Sequence, residues 1–314
     1  MSRFPPQAEW QVLLDLALTE DVGAGDLTSQ VVVDPLREGR GRIEARADLV
    51  VCGLEIARAV FARVDPTLSV EIPPGVADGT RAKAGDVLMR IHGRYASLLT
   101  AERTALNFLG RLCGVASQTR TLVDSIADLS SRLVDTRKTT PGWRSLEKYA
   151  VAVGGGVNHR RGLYDAVLVK DNHIAAAGGL DAAVRRALER TPAGIPVQVE
   201  VESESMADRA VELGCTFLLL DNLDPESIRR IVGRHAPKIL LEASGGIHAG
   251  NLRRYAETGV ARISMGALTH SVHVADVALE IDLLPDWPAA GDDRERNAGP
   301  GTGASTGTRQ AKQE

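Results

Sequence analysis

Cationic side chains stand at the ends of two apolar segments in the middle of the chain. Arg137 and Lys138 follow Leu133 and Val134 in "RLVDTRK", and Lys170 ends "DAVLVK". Cations at the mouth of an apolar strand are costly to bury unless an anion occupies the space in front of them. Arginine offers a planar fork that matches carboxylate or phosphate, and lysine supplies a point charge. The sequence therefore predicts a ligand with several negative charges, and further cations that face it are His159, Arg160 and, unless it is simply solvated, Arg161.

Carboxylates end the next two apolar segments. Alternation along "VQVEVES" places Glu200 and Glu202 on the same side of their strand, and Asp221 ends "TFLLLD". Opposite cations that bind phosphate, such carboxylates are typical of a magnesium site, because Mg²⁺ takes one or two carboxylates plus substrate oxygens. The other interpretation is a set of salt bridges to neighbouring Lys and Arg residues. Zinc is not indicated, since the histidines lack ligand spacing.

Small residues end the last two apolar segments. The stretches "SGGI" (244–247) and "MGAL" (265–268) each precede a helical pattern. Glycine lets backbone N–H groups approach a ligand closely, and a helix N-terminus favours an anion. In β/α barrels the final strands often carry the phosphate site. We therefore predict a phosphate-binding site at these two strand ends.

Six apolar segments alternate with helical patterns between residues 129 and 267, from "RLVDTRK" to "ARISMGA". This alternation is typical of a parallel sheet with crossover helices, either a β/α barrel or a doubly wound sheet. No G-x-G-x-x-G follows the first strand, which weakens the dinucleotide-binding version. A barrel brings every strand end to one mouth, whereas an open sheet spreads them along an edge. The polar strand ends therefore favour a barrel, and its six strands predict that it is incomplete.

The chain before this region has a different pattern. One face of a predicted helix is shared by Trp10, Leu13, Leu14, Ala17 and Leu18. The stretches "EGRGRIEARADLVVCG" and "GTRAKAGDVLMRIHG" alternate as antiparallel strands do, and a long helical pattern over 97–126 leads to the first barrel strand. The predicted organisation is an N-terminal α/β sandwich domain over 1–115, joined by 271–286, an incomplete β/α barrel over 116–270 with a catalytic mouth, and a disordered tail over 287–314.

Composition limits the class of protein. The 314 residues carry a net charge of −4, and only 4% of them are aromatic, which argues against nucleic acid as a partner. Three cysteines in apolar contexts predict reduced, mostly buried thiols. No stretch has the features of a signal peptide or of a membrane span. We therefore expect a soluble, cytoplasmic protein that binds neither nucleic acid nor a membrane.

Several stretches resemble the quinolinate phosphoribosyltransferase family over about residues 10–284. They are "EDVGAGDLTS" (20–29), "ERTALNFL" (102–109), the block over 135–174 that begins "DTRKTTPGWR", and the later "VEVES", "LLLDN", "LEASGGI" and "GALTHS". The resemblance implies a pentosyltransferase, the carboxylating nicotinate-nucleotide pyrophosphorylase of NAD biosynthesis. Its substrates would be quinolinate and phosphoribosyl pyrophosphate, with Mg²⁺ as cofactor. It also implies an incomplete barrel with an α/β sandwich, assembled at least as a homodimer.

The resemblance assigns roles to individual residues. Quinolinate or the phosphoribosyl donor would be held by Arg137, Lys138, His159, Arg160 and Lys170. Arg103, which by itself is most simply a helix-surface ion pair with Glu102, falls on a position that the family contributes from the neighbouring subunit. Metal and ribose would be bound by Glu200 and Asp221, which with Lys138 and Lys170 would stabilise charge during the reaction. Phosphate would be bound by Ser244, Gly245, Gly246, Gly266 and His270.

Three other functions stay open on the residues alone. A transferase on the same scaffold could use another acidic pyridine, and the use of nicotinate would identify it. A Schiff-base lyase could use Lys170, although nearby carboxylates would raise the pKa of that lysine. A non-catalytic sensor of a phosphorylated metabolite would not need the full set of acidic and basic groups.

Overall fold

A computed structural model of the chain describes residues 3–283. The predicted disordered tail, 287–314, lies outside the described residues. The first part of the chain contains the elements α1 (Gln11–Val22), α2 (Leu27–Val32), β1 (Glu38–Ala45), β2 (Leu49–Val50), α3 (Leu54–Val64), β3 (Ser69–Glu71), β4 (Arg81–Ala82), β5 (Val87–Arg94) and α4 (Tyr95–Asp124). The second part contains β6 (Arg132–Val134), α5 (Arg144–Val153), β7 (Val167–Val169), α6 (Asp171–Ala177), α7 (Leu180–Arg190), β8 (Val197–Val201), α8 (Glu204–Glu212), β9 (Phe217–Asp221), α9 (Pro225–His235), β10 (Leu240–Ser244), α10 (Leu252–Ala256), β11 (Arg262–Ser264), α11 (Ala267–His270) and β12 (Val277–Leu283).

The N-terminal part is built on a four-stranded antiparallel sheet in the order β12-β1-β5-β3. The predicted antiparallel pairing of the first two long strands is confirmed, with Ile43 opposite Met89. One face of β1 is buried at alternate positions, and the 30-residue helix α4 packs on this sheet and on α3. Because β12 pairs with β1, the chain returns to this sheet after the parallel strands.

The six predicted parallel strands are all present, in the order β6-β11-β10-β9-β8-β7. The first strand of the region, β6, pairs with the last, β11, as a barrel requires, with Leu133 beside Ile263. Among the described residues β6 and β7 do not pair, and β6 has only one further bridge, to Val157. The prediction of an incomplete β/α barrel is therefore confirmed.

Local sequence explains where these barrel elements begin. The strands are runs of buried Val and Leu, such as Leu218–Leu220 in β9. Asp224 caps α9, accepting hydrogen bonds from the N–H groups of Glu226 and Ser227, and Pro225 occupies the first turn. Helices such as α9 return the chain to the start of the next parallel strand, so the carboxyl ends of all six strands lie at the same end of the barrel.

Two other predictions concern the whole chain. The helix α4 runs without a break through residue 115, so the domain boundary there stays a prediction. The three cysteines, Cys52, Cys113 and Cys215, are free and buried, as predicted. In the part of the chain that the structure describes, no helix is both long enough and apolar enough to span a bilayer.

Candidate active site

A cleft of about 860 Å³ opens at the carboxyl ends of the parallel strands. It is lined by eleven of the thirteen predicted site residues: Arg137, Lys138, His159, Arg160, Lys170, Asp221, Ser244, Gly245, Gly246, Gly266 and His270. Glu200 adjoins this set, because its Oε2 accepts a hydrogen bond of 2.6 Å from Lys170 Nζ. Arg103 is separate: it lies on α4 with 64% of its side chain exposed, 4.0 Å from Glu102.

The cations on one side of the cleft have no acidic partner. Among residues 3–283, no carboxylate lies within 4.0 Å of the side-chain nitrogens of Arg137, Lys138 or Arg160. The Nε of Arg137 is buried and has no hydrogen-bond partner in the described chain. Burial, and then the nearby charge of Arg137, lower the pKa of Arg160. Asp165 opposes this shift but lies beyond 4.0 Å, so among the described residues the guanidinium groups have no paired carboxylate and are suited to an anionic ligand.

A buried ion pair holds the segment that carries His159 and Arg160. Lys148 Nζ on α5 donates a hydrogen bond to Asp135, and both side chains are almost completely buried. Asp135 also accepts hydrogen bonds from the N–H of His159 (2.8 Å) and from Asn158 Nδ2 (2.7 Å). Burial raises the pKa of Asp135 and lowers that of Lys148, and their mutual attraction opposes both shifts. Lys148 was not predicted, although a lysine inside the apolar stretch "LEKYAVAV" indicates a buried ion pair.

A second buried carboxylate positions the loop that carries Lys138. Arg111 on α4 lies 2.7 Å from Glu147 Oε1, and Glu147 accepts hydrogen bonds from the N–H and Oγ1 of Thr140. Thr269 Oγ1 in turn donates to the Lys138 carbonyl at 2.8 Å. Helix α4 therefore contacts the loop that carries Lys138 through Arg111 and Glu147. Neither residue was predicted from the sequence.

Three carboxylates on the opposite side of the cleft lie close together. One oxygen each from Glu200, Glu202 and Asp221 falls within 4.8 Å of the others. Glu200 is buried, Asp221 is half-buried and Glu202 is exposed. Glu200 forms a salt bridge with Lys170, as the salt-bridge interpretation predicts. The three carboxylates together also supply oxygen atoms of the kind that Mg²⁺ binds.

Glycines allow two loops to approach each other closely at the last strands. Gly245 has φ +90°, and a Cβ there would lie 2.2 Å from Asn222 Oδ1. A Cβ on Gly266 would lie 2.9 Å from both His270 Nε2 and Lys138 Cδ. The helix after "SGGI" begins only at Leu252, and α11 has four residues. The loops themselves, with Ser244, form this end of the cleft.

Polar side chains form the floor of the cleft beneath His159. His159 Nε2 lies 2.8 Å from Gln198 Oε1 and 3.4 Å from Glu242 Oε1. Arg262 Nε lies 2.9 Å from Glu242 Oε2. Burial lowers the pKa of His159 to about 4 and raises that of Glu242 to about 7. Gln198 was missed, although the strand alternation that selected Glu200 places Gln198 on the same face.

Sequence comparison extends over nearly the whole described chain. Sequence models of the quinolinate phosphoribosyl transferase N-terminal and C-terminal domains match residues 26–113 and 115–280. A probable carboxylating nicotinate-nucleotide pyrophosphorylase of Bacillus subtilis is 38% identical over 271 residues, which are 86% of this chain and 93% of that protein. The carboxylating nicotinate-nucleotide pyrophosphorylase of Mycobacterium leprae is 39% identical over 269 residues, covering 84% and 94% of the two chains.

Structure comparison agrees with these matches. The crystal structure of NadC from Streptococcus pyogenes superposes with a TM-score of 0.86 at 37% identity. The superposition covers 90% of this chain and 100% of that one. With both domains matched and the cations, carboxylates and glycines gathered in one cleft, the chain belongs to the quinolinate phosphoribosyltransferase family.

Proposed function

We propose that this cleft transfers the phosphoribosyl group of phosphoribosyl pyrophosphate to quinolinate and releases pyrophosphate, CO₂ and nicotinate mononucleotide. The activity is that of the family to which the chain belongs. The observation that carries its placement is the set of cations without an acidic partner, Arg137, Lys138 and Arg160, in the same cleft as the Ser244–Gly246 loop. A dicarboxylate supplies the missing anions on one side, and a phosphate occupies the loop on the other.

Charge dictates the roles in the transfer step. The pyridine nitrogen attacks the anomeric carbon as pyrophosphate leaves, so positive charge grows on the ribose. Glu200 and Asp221 stabilise that charge, and Lys138 and Lys170 offset the negative charge that develops on the leaving group. Arg137 and Arg160, with His159 beside them, orient the two carboxylates, and a fixed orientation lowers the entropic part of the barrier.

Decarboxylation follows from the product of this first step. The ring nitrogen is then quaternary and accepts the electron pair that is left when the neighbouring carboxylate departs as CO₂. A proton replaces the lost group at that carbon. Because the substrate provides its own electron sink, no organic cofactor is required.

Mg²⁺ is the proposed metal cofactor. The three acidic oxygens within 4.8 Å of one another are hard ligands of the kind that Mg²⁺ prefers. Glu200 and Asp221 would hold it, and Glu202 is close enough to join them. When bound, the metal would neutralise charge on the pyrophosphate of the donor. The phosphate at the other end of the donor is held by Ser244, Gly245, Gly246, Gly266 and His270.

We further propose a homodimer, or a larger assembly of such dimers, in which Arg103 enters the cleft of the partner. Arg103 is exposed and reaches no cleft residue of its own chain. Large apolar side chains are exposed on the same N-terminal part, including Val31 at 83% and Val12 at 78%. An apolar surface of this kind is typical of an interface between subunits. The cytoplasm stays the proposed location.

A lyase that uses Lys170 is not favoured. Its Nζ donates a hydrogen bond of 2.6 Å to Glu200, so the side chain is engaged in an ion pair instead of being free to attack a carbonyl carbon. A transferase for a monocarboxylate would not need so many unpaired cations.

A product assay tests the proposed reaction. Wild-type protein receives quinolinate, phosphoribosyl pyrophosphate and Mg²⁺, and a parallel tube receives nicotinate in place of quinolinate. CO₂ and nicotinate mononucleotide from the quinolinate tube alone are the expected result. Turnover only with nicotinate, or with neither acceptor, would refute the proposed acceptor.

Complementation tests the shared site. Arg103→Ala and Lys138→Ala are each expected to be inactive, because each removes one cation from every site. Co-expressed, they form mixed dimers in which one site has both changes and the other has neither, so about a quarter of wild-type activity returns. No recovery in a proven mixed dimer would place Arg103 outside the partner's cleft.

A further inference from the structure

The cleft floor contains a buried polar cluster contributed by three strands of the parallel sheet, β8, β10 and β11. Gln198 on β8 is 1% exposed and Glu242 on β10 is fully buried. Arg262 on β11 lies 2.9 Å from Glu242, whereas Gln198 Nε2 and both Glu242 oxygens have no hydrogen-bond partner in the described chain. Burying polar groups is costly unless they are hydrogen-bonded or paired with an opposite charge, so the partner of this cluster matters. What they face is the ring of His159.

Both nitrogens of this ring are engaged by the protein. Nδ1 accepts a hydrogen bond of 2.7 Å from the N–H of Arg160, so it carries no proton in the neutral ring. The proton is therefore on Nε2, which donates to Gln198 Oε1 at 2.8 Å. Burial keeps the ring neutral near pH 7, because it lowers the pKa of His159 to about 4. The ring thus connects Gln198 on β8 to the main chain of Arg160.

The segment that this ring holds lacks the usual support of a barrel strand. Among residues 3–283, β6 and β7 do not pair, and the segment 156–160 is joined to β6 by one bridge at Val157. The Asp135–Lys148 pair holds the near side of the segment. On the far side of the segment the His159 ring contacts Gln198 on β8, and Arg160 Nη1 donates a hydrogen bond of 3.0 Å to the carbonyl of Ala166, just before β7.

We propose that Gln198, with Glu242 behind it, is a positioning residue for the pyridine substrate: it fixes the His159 ring and, through that ring, Arg160. This inference rests on the proposed function, since it takes Arg160 as part of the quinolinate site. Gln198 itself need not touch a substrate. If its acceptor oxygen is removed, the next acceptor for Nε2–H is Glu242 Oε1, which lies 3.4 Å away. The ring must turn to reach it, and Arg160 moves with the ring.

Two substitutions at one position test the acceptor. Gln198→Met keeps the length of the side chain and removes the oxygen, whereas Gln198→Glu keeps an oxygen that can accept from Nε2. We expect Gln198→Met to raise KM for quinolinate about tenfold and to leave KM for phosphoribosyl pyrophosphate within about twofold. Gln198→Glu should keep KM for quinolinate within about threefold of wild type. Asp78→Asn is the control for a change at a half-buried hydrogen-bonded side chain that lies outside the cleft.

Imidazole ¹⁵N resonances give a measurement that a merely structural role would not move. In the wild type the proton of His159 is expected on Nε2, and in Gln198→Met the Nε2 resonance should shift while the protein stays folded. A wild-type proton on Nδ1 would overturn the inference even if Gln198→Met fails to fold. So would equal effects of Gln198→Met on the two KM values. A wild type without quinolinate turnover would instead refute the proposed function, which separates the two failures.

Discussion

Replacing Lys148 with methionine removes the cation from a buried ion pair and leaves Asp135 without it. The Lys148 and Asp135 side chains are 1% and 0% exposed, so water cannot take the place of the ammonium. Breaking a buried pair from one side typically costs about 3–5 kcal/mol. Asp135 keeps its hydrogen bonds from Asn158 and His159, so we expect the lower end, about 3 kcal/mol of unfolding free energy.

Thermal unfolding at one fixed protein concentration measures this loss. For a domain of this size each kcal/mol shifts Tm by about 2–4 °C, so Lys148→Met should melt roughly 6–12 °C below wild type. Lys83→Met is the matched control, because Lys83 and its partner Asp48 are 81% and 70% exposed. An exposed pair contributes at most about 1 kcal/mol, so the control should stay near wild type.

The pH dependence of the deficit tests the cause. Without the ammonium, burial raises the pKa of Asp135 further above its value in the unfolded chain. A carboxyl with a raised pKa in the folded state favours folding when it is protonated, and that contribution is lost as pH rises through the folded pKa. The deficit of Lys148→Met should therefore be smaller at pH 5 than at pH 8. An equal deficit at both pH values, or one no larger than that of Lys83→Met, would refute the reasoning.

Three further predictions concern the cleft. Arg137→Ala should raise KM for quinolinate about tenfold or more and should raise KM for phosphoribosyl pyrophosphate less. Equal effects on the two KM values in steady-state assays would contradict the assignment of Arg137 to the quinolinate site. Gly245→Ala forces a side chain into φ +90° and onto Asn222, so KM for the donor should rise, whereas Gly233→Ala, which meets nothing within 4 Å, should match wild type in the same assay. Burial raises the pKa of Glu242 to about 7, so the melting temperature of wild type should fall relative to that of Glu242→Gln as pH rises from 5 to 7 and change little above 8. A constant difference in melting temperature between wild type and Glu242→Gln from pH 5 to 8 would show that Glu242 does not titrate in this range.

The residues at the strand ends were predictable because their signals are local. A run such as "FLLLD" specifies both a buried strand and the polar residue that ends it, and parallel strands bring such ends together. Alternation along "VQVEVES" likewise placed Glu200 and Glu202 together, and the structure puts both beside Asp221. The resemblance over 135–174 added the identity of the ligands, which residue types alone left open.

Local sequence patterns were enough to predict the six strands, the long helix before them and the cations at the carboxyl ends of the strands. The side chains that hold those cations in place became apparent only from the folded chain. Asp135 meets Lys148, Arg111 meets Glu147, and His159 meets Gln198 across the barrel. Each pair joins two different elements or loops, and no periodic pattern within one segment encodes the distance between them. The charged strand ends could therefore be predicted from local patterns, whereas the contacts that support them depend on non-local packing.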